Sequence, residues 1–258
     1  MSKTLKGKKA VVTGAGRGIG RSIALAFARE GADIAICARS QDALDDTAQA
    51  IKAFGVDCLC MPVDIADERA VSRFTEKVEQ TFGQVNILVN NAGVYLDQGR
   101  FEDSDPEQWW TTIEINIKGP YLITRHLVSA MPEGSKILNL SSGKGFSAGQ
   151  NSSAYHISKA GLNMFTEALA NELWERKIDV NTLVPGPTAT TTLSRQDPGS
   201  GVTTDEILEK FTKAPPSGLP PWERVKHPDN VAALALQIVS YPIGGPTGQV
   251  FSLARRPL

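Results

Sequence analysis

Lys9-Ala10-Val11-Val12-Thr13-Gly14-Ala15-Gly16-Arg17-Gly18-Ile19-Gly20 is the stretch on which the reading of this chain turns. Its first half is a β-branched apolar run and its second half a glycine cluster. Beyond it Ile19, Ile23, Ala24 and Phe27 recur at helical spacing until a stop at Gly31. A lone glycine cluster says little, but a strand, a glycine loop and a helix in direct succession are specific. Glycines permit a tight turn that brings backbone N–H groups up to an anion, and the start of a helix favours negative charge. The sequence therefore predicts that Gly14, Gly16, Arg17, Gly18, Ile19 and Gly20 cradle a dinucleotide pyrophosphate.

Outward from this loop, six further short apolar runs occupy 33–39, 58–64, 86–93, 136–142, 179–186 and 249–253. Runs this apolar belong to strands covered on both faces, and the segments between them are long enough for crossover helices. Helical patterns lie at 107–131, 155–176 and 229–240, and Asp67 is placed to cap a helix reaching Phe82. The expected fold is α/β: a Rossmann-type doubly wound parallel sheet of seven strands with helices on both faces, the 258 residues forming one catalytic domain. One segment breaks the alternation. Residues 187–227 are rich in Thr, Pro, Gly and Ser, with a short helical stretch at 205–213, and follow the carboxyl end of a strand. Open α/β sheets bind ligands at that edge, so the excursion is expected to be a substrate lid.

Composition removes other classes. With 27 basic and 28 acidic residues the formal charge is −1, which gives no electrostatic case for a nucleic-acid or anionic-membrane partner. No apolar run approaches the roughly 20 residues of a membrane helix. The polar start MSKTLKGKKA has no signal-peptide apolar region, so a cytoplasmic protein is expected. Cys37, Cys58 and Cys60 form neither a disulfide framework nor a metal-ligand spacing, and read as small apolar residues; no metal is expected.

The second strand ends Cys37-Ala38-Arg39-Ser40, where an NAD-binding chain would place an acid on the adenosine ribose. Arg39 offers a planar fork to a 2′-phosphate, Ser40 a hydroxyl, and Arg17 a second cation, so the cofactor is expected to be NADP(H). Tyr155 and Lys159 lie four residues apart at the start of a helix and project from one face. A lysine close to a phenol favours the phenolate, which predicts a tyrosine pKa below the usual value of about 10 and easier proton exchange near neutral pH. Ser142, at the end of the fifth strand, presents a hydroxyl to a carbonyl or alcohol oxygen.

With the glycine loop, Asn90-Asn91-Ala92-Gly93, Asn116, Ser142, the Tyr155/Lys159 pair and Val184-Pro185-Gly186 in this order, the chain resembles the short-chain dehydrogenase/reductase family over residues 5–253. The nearest branch resembles the 3-oxoacyl-[acyl-carrier-protein] reductases and related NADP-dependent alcohol dehydrogenases. The resemblance implies that Tyr155 is the general acid or base, that Ser142 polarises the substrate oxygen and that Lys159 holds the nicotinamide ribose. Asn116 would steady a proton-relaying water chain. It further implies that Asp64 and Ile65 meet the adenine, that Asn90, Ala92 and Gly93 line the adenosine side, and that Pro185, Gly186 and Thr188 or Thr190 close around the nicotinamide. In that family the helices carrying Trp109 and Tyr155 form the main subunit interface, which implies a homotetramer. The expected activity is interconversion of a small-molecule ketone and secondary alcohol, with a 3-oxoacyl thioester as one substrate class. An NAD(H)-linked sugar or polyol dehydrogenase and a catalytically silent cofactor-binding scaffold are the alternatives.

Among neighbouring residues, His156 reads as a packing residue, Trp109 as facing the core with Trp110 at a surface or interface, and Lys144 as a solvated lysine, with contact to an acidic substrate as its alternative. The chain ends Phe251-Ser252-Leu253-Ala254-Arg255-Arg256-Pro257-Leu258, where many relatives carry a Val-Asp-Gly-Gly-like end.

Overall fold

The computed structural model describes residues 3–197, 199–216, 219 and 222–254. Pro220 and Pro221 of the expected lid, and the terminal residues 255–258, lie outside the described residues. Seven strands, β1 (Lys9–Thr13), β2 (Asp33–Ala38), β3 (Cys58–Pro62), β4 (Ile87–Asn90), β5 (Lys136–Leu140), β6 (Asp179–Val184) and β7 (Val250–Ser252), form one sheet in the order β3-β2-β1-β4-β5-β6-β7. Every pairing is parallel. The order reverses direction between β1 and β4, which opens a crevice at their carboxyl ends, and the glycine loop leaves β1 at that point.

Alternation along each strand feeds two cores. On one face Val12, Ile34, Ile36 and Val89 pack with α1 (Gly18–Arg29), α2 (Gln41–Lys52) and, late in the chain, α9 (Pro228–Val239), through Ile23, Phe27, Leu44, Ile51 and Ile238. On the other, Val11, Ala35, Leu88, Ile137 and Val180 meet α3 (Glu68–Phe82), α5 (Gly119–Leu127) and the end of α6 (Ser153–Glu172). Each fully buried Val, Leu, Ile or Phe among them contributes roughly 1.5–3 kcal/mol. These two layers hold the strand ends still, so residues just past them are fixed in space. Among the described residues no helix is long and apolar enough to cross a membrane.

Two elements differ from the sequence expectation. The helix foreseen at 107–131 is α4 (Pro106–Ile113), a π-helical turn at Glu114–Lys118, α5 and a short 3-10 turn. Pro120 explains the break: it has no N–H to return to the carbonyl one turn earlier, and the ladder widens locally. That widened turn carries Asn116. The excursion at 187–227 contains α7 (Thr191–Ser194) and α8 (Thr204–Lys213), the latter with a Thr203/Glu206 capping box. Its ends are tied to each other: Ala189 N donates to Lys226 O at 2.9 Å and Lys226 N to Pro187 O at 3.0 Å. Trp222 is exposed. All three cysteines are free, Cys37 being buried in β2, and burial pushes the Cys37 and Cys58 thiols up to about 12.

Candidate active site

The glycine loop has the geometry of an anion cradle. Gly14 and Gly18 adopt φ of 66° and 54°, and a Cβ added to Gly14 would lie 2.8 Å from the Ala92 backbone. The first turn of α1 has no side-chain cap and no acidic residue, which leaves its N–H groups directed at the crevice. An uncapped helix start beside backbone that admits no side chain fits a dinucleotide pyrophosphate. Thr190 lies against this loop, its Cγ2 3.3 Å from where a Gly18 Cβ would be, and its hydroxyl caps α7 through Leu193 N at 3.3 Å. Thr188 is buried and donates to Gly186 O at 3.1 Å, so of the two threonines Thr190 is the one at the glycine loop.

Asn91 was not singled out from sequence, yet it ties β4 to the loop: its Nδ2 donates to Thr13 O at 2.9 Å and Gly14 O at 3.2 Å. Asn90 faces the opposite way, buried, donating to Asn139 Oδ1 at 2.8 Å and Thr124 Oγ1 at 3.1 Å. Successive side chains at a strand end point to opposite faces, and that alternation was the available signal. Ala92 and Gly93 follow toward the cleft, and Gly93 is exposed. Asp64 is exposed just past β3, accepting from Ala66 N at 3.0 Å, while Ile65 is buried against Gly119. Arg39 and Ser40 are exposed at the end of β2, and Ser40 Oγ caps α2 by accepting from Ala43 N at 3.5 Å. The Arg17 guanidinium is held below its ordinary pKa by lost hydration and by the like charge of Arg39, with Asp197 of the excursion pulling the other way. Arg17 and Arg39 thus share one neighbourhood.

At the other end of the crevice, Ser142 leaves β5 and caps a 3-10 turn by accepting from Lys144 N at 3.3 Å. Tyr155 occupies the first turn of α6, near enough to Ser142 for the serine hydroxyl to favour its ionised form. Lys159, 4% exposed, has its Nζ 5.6 Å from the Tyr155 ring centroid and donates to Leu140 O at 2.9 Å. Asn116, fully buried, accepts from Val94 N at 2.8 Å and donates to Val94 O at 2.9 Å and Ser158 Oγ at 3.0 Å. A Cβ on Gly93 would lie 3.1 Å from Asn116 Oδ1 and 3.4 Å from Lys159 Nζ, so all three meet at one point. Pro185 is buried, and Gly186 turns with φ of 67° beside Lys226.

The expected lowering of the tyrosine is reversed in this structure. Burial pushes Tyr155 up to about 12, with the Ser142 hydroxyl pulling down and Tyr95, its ring centroid 4.5 Å away, pushing up. Burial also pushes Lys159 down to about 8, and its ammonium is turned to Leu140 O. Desolvation, which a four-residue spacing cannot report, is the largest influence on both groups. Lys144 differs from expectation too: it is half-buried, donating to Tyr95 OH at 2.8 Å and Ser152 Oγ at 2.9 Å. His156 Nδ1 lies 2.8 Å from Ser152 O, and Trp109 Nε1 donates to Ser153 Oγ at 2.8 Å while Trp110 is exposed.

Comparison with known proteins bears on this arrangement. The profile of the short chain dehydrogenase family matches residues 8–200. An uncharacterised oxidoreductase of Bacillus subtilis (strain 168), YxbG, is 31% identical over 246 residues, 95% of this chain and 89% of the relative. The 3-oxoacyl-[acyl-carrier-protein] reductase FabG of Pseudomonas aeruginosa is 35% identical over 185 residues, 71% of this chain and 74% of that one. Among solved structures, a short chain dehydrogenase from Burkholderia cenocepacia J2315 in complex with NADP superposes with a TM-score of 0.82 at 29% identity, covering 96% of this chain and 97% of that one. The chain belongs to the short-chain dehydrogenase/reductase family, oxidoreductases that act on alcohol or carbonyl groups with a nicotinamide cofactor.

Proposed function

We propose that this protein is an NADP(H)-dependent reductase that interconverts a ketone and a secondary alcohol, with Ser142, Tyr155, Lys159 and Asn116 as its catalytic set. The observation that carries the reading is the gathering of Ser142, Tyr155 and Lys159 at the carboxyl edge of the sheet, Ser142 just past β5 and Lys159 Nζ 5.6 Å from the Tyr155 ring centroid one helical turn on. Bound NADPH supplies a hydride to the carbonyl carbon. Tyr155 gives its proton to the carbonyl oxygen, and Ser142 donates a hydrogen bond to the same oxygen as negative charge develops there. A phenol pushed up to about 12 still carries that proton at neutral pH, which suits reduction. Lys159 and Asn116, buried around Gly93, hold the ribose side and pass a replacement proton inward through water.

Preference for NADP(H) is supported by Arg39 at the end of β2 with Arg17 of the glycine loop beside it, by the missing carboxylate there, and by the NADP in the Burkholderia neighbour. The name of the Pseudomonas relative makes a 3-oxoacyl group the first substrate class to try. The excursion at 187–227, pinned at its base and touching the glycine loop through Thr190, serves as the substrate lid. Exposed Trp110, Tyr121, Ile157 and Met164 on α4, α5 and α6 are the surface of a homotetramer.

The test is NADPH consumption with an acetoacetyl thioester, with NADH and the Tyr155→Phe protein in parallel. Turnover that needs both NADPH and Tyr155 supports the reading. Equal use of NADH overturns the cofactor preference, and turnover that survives Tyr155→Phe overturns the proposed acid.

A further inference from the structure

Lys144 stands two residues after Ser142, and its own backbone N–H holds the Ser142 hydroxyl at 3.3 Å, so the two side chains leave one tight turn. Its ammonium lies 4.9 Å from the centroid of the Tyr95 ring, whose centroid is in turn 4.5 Å from that of Tyr155, the two rings tilted by 34°. The cation is therefore one ring away from the phenol proposed to donate the proton.

What surrounds this ammonium is incomplete. An ammonium has three protons to give, and the protein takes two of them with neutral hydroxyls, Tyr95 OH at 2.8 Å and Ser152 Oγ at 2.9 Å. Among the described residues no carboxylate forms an ion pair with it. Two buried lysines are treated differently: Lys136 is paired with Asp179, and Lys226 with Glu223 at 2.7 Å. Lys159 is uncompensated, and burial lowers its affinity for its proton accordingly. Withdrawing a cation from water without an opposite charge is unfavourable, and an anion delivered to it gains a charge-assisted hydrogen bond in partly desolvated surroundings. Ser152 is buried and further held by His156, whose Nδ1 lies 3.1 Å from its hydroxyl, so the clamp is set before any ligand arrives.

We propose that Lys144, held in place by the hydroxyls of Tyr95 and Ser152, is a carboxylate subsite beside Ser142 and Tyr155, and that the substrate is an oxo acid or its hydroxy-acid product. The proposal rests on the reading of Ser142 and Tyr155 as the carbonyl-reducing pair, and it replaces a neutral acyl ester or thioester by the free acid. Lys144 acts here as a specificity-determining residue. It fixes which end of the substrate faces the serine-tyrosine pair and takes no part in proton transfer.

Two measurements on the NADP(H)-loaded protein test it. The first is calorimetric binding of levulinate to the NADP+ complex of the wild-type, Lys144→Gln and Lys144→Arg proteins. The second is the ratio of kcat/KM for an oxo acid to that for its methyl ester, using acetoacetate and levulinate with their esters and NADPH. Removal of one partner of a charged hydrogen bond corresponds to about a tenfold to hundredfold loss. The acid-to-ester ratio is expected to exceed one in the wild type, to fall by at least about tenfold in Lys144→Gln mainly through KM for the acid, and to survive in Lys144→Arg, with levulinate binding following the same order. Absence of carboxylate binding in the wild type, a wild-type preference for the ester, or an equal loss on acid and ester in Lys144→Gln each overturns the subsite. The last of these is what a lysine that merely braces the 143–152 turn against Tyr95 would produce. Lys144-dependent levulinate binding with no turnover of any ketone, charged or neutral, would instead leave the subsite standing and overturn the reductase reading.

Discussion

The two ends of the crevice handle charge in opposite ways. At the β1–β2 end the side chains of Arg17, Arg39 and Ser40 reach solvent, and Arg17 is held below its ordinary pKa by lost hydration first and by the like charge of Arg39 second. At the β5–α6 end Lys159 and Asn116 are buried, and Tyr155 and Lys159 are displaced in the directions burial demands, up to about 12 and down to about 8. Exposed charge is hydrated and screened, so it discriminates between cofactors at little expense to the fold. Buried charge is unfavourable for the fold and correspondingly strong in its effect on protons. The exposed end should therefore be easy to re-tune, whereas the buried end trades stability against chemistry.

The largest effect is expected at the buried end. Tyr155→Phe removes the proposed proton donor while keeping its ring against Tyr95, and kcat/KM for ketone reduction should fall about a thousandfold, the middle of the range for a general acid. NADPH affinity, read by fluorescence titration, should stay within about twofold. A variant that kept a tenth of the activity would show that the two ends do not differ in the way argued.

Lys159→Met sharpens the same comparison through stability. Folding lowers the lysine pKa from 10.5 to about 8, so the unfolded chain binds the proton more tightly than the folded one. The full penalty, up to about 3 kcal/mol, is present below pH 8 and fades as the pH rises from the folded toward the unfolded value. Loss of the bond to Leu140 O offsets about 1 kcal/mol of the relief. Lys159→Met should therefore be about 2 kcal/mol more stable than the wild type in urea unfolding at pH 7, while losing turnover. The advantage should shrink by pH 10.5. A less stable variant at pH 7 would contradict the desolvation account.

The unequal legibility of these two ends in the sequence has the same origin. The strands could be read because their Val and Ile runs are local, and the loop because Gly14 to Gly20 must lie together whatever surrounds them. The order of Ser142, Tyr155 and Lys159 likewise places the serine past the end of a strand and the other two at the start of a helix, which the structure brings near one another. What escaped depends on distant partners. The choice between Asn90 and Asn91 rests on which face of β4 meets Thr13, 78 residues before Asn91. Lys144 read as solvated because Tyr95, its partner, is 49 residues away. The pKa of Tyr155 reflects how many atoms exclude water from it, which no spacing encodes. The π-helical turn at Asn116 was signalled locally by Pro120, but a helical hydrophobic pattern runs through it unchanged.

At the exposed end, Arg39→Asp replaces the proposed phosphate partner by a carboxylate that repels it. NADPH affinity should fall by about tenfold to hundredfold, NADH affinity should rise, and Tyr155-dependent chemistry with saturating cofactor should change little. The wild-type preference for NADPH should weaken as salt is added, since Arg39 is open to solvent. Coenzyme titrations at two ionic strengths measure both effects. Unchanged NADPH and NADH affinities would remove Arg39 from cofactor selection.

The smallest effect separates two jobs held by one atom. Ser40 Oγ caps α2 by accepting from Ala43 N, and that leaves its own hydrogen free to meet a 2′-phosphate. Ser40→Ala gives up both roles, and should lose about 0.5 kcal/mol of stability, the low end for a cap bond this long, together with a few-fold of NADPH affinity. Ser40→Asp keeps a capping oxygen at a helix start that favours negative charge, so stability should be retained, while the carboxylate should weaken NADPH more than alanine does. The pair of variants thus orders oppositely in urea unfolding and in NADPH titration. If both measurements ranked them alike, the hydroxyl would serve the helix only, and cofactor preference at this end would rest on Arg17 and Arg39.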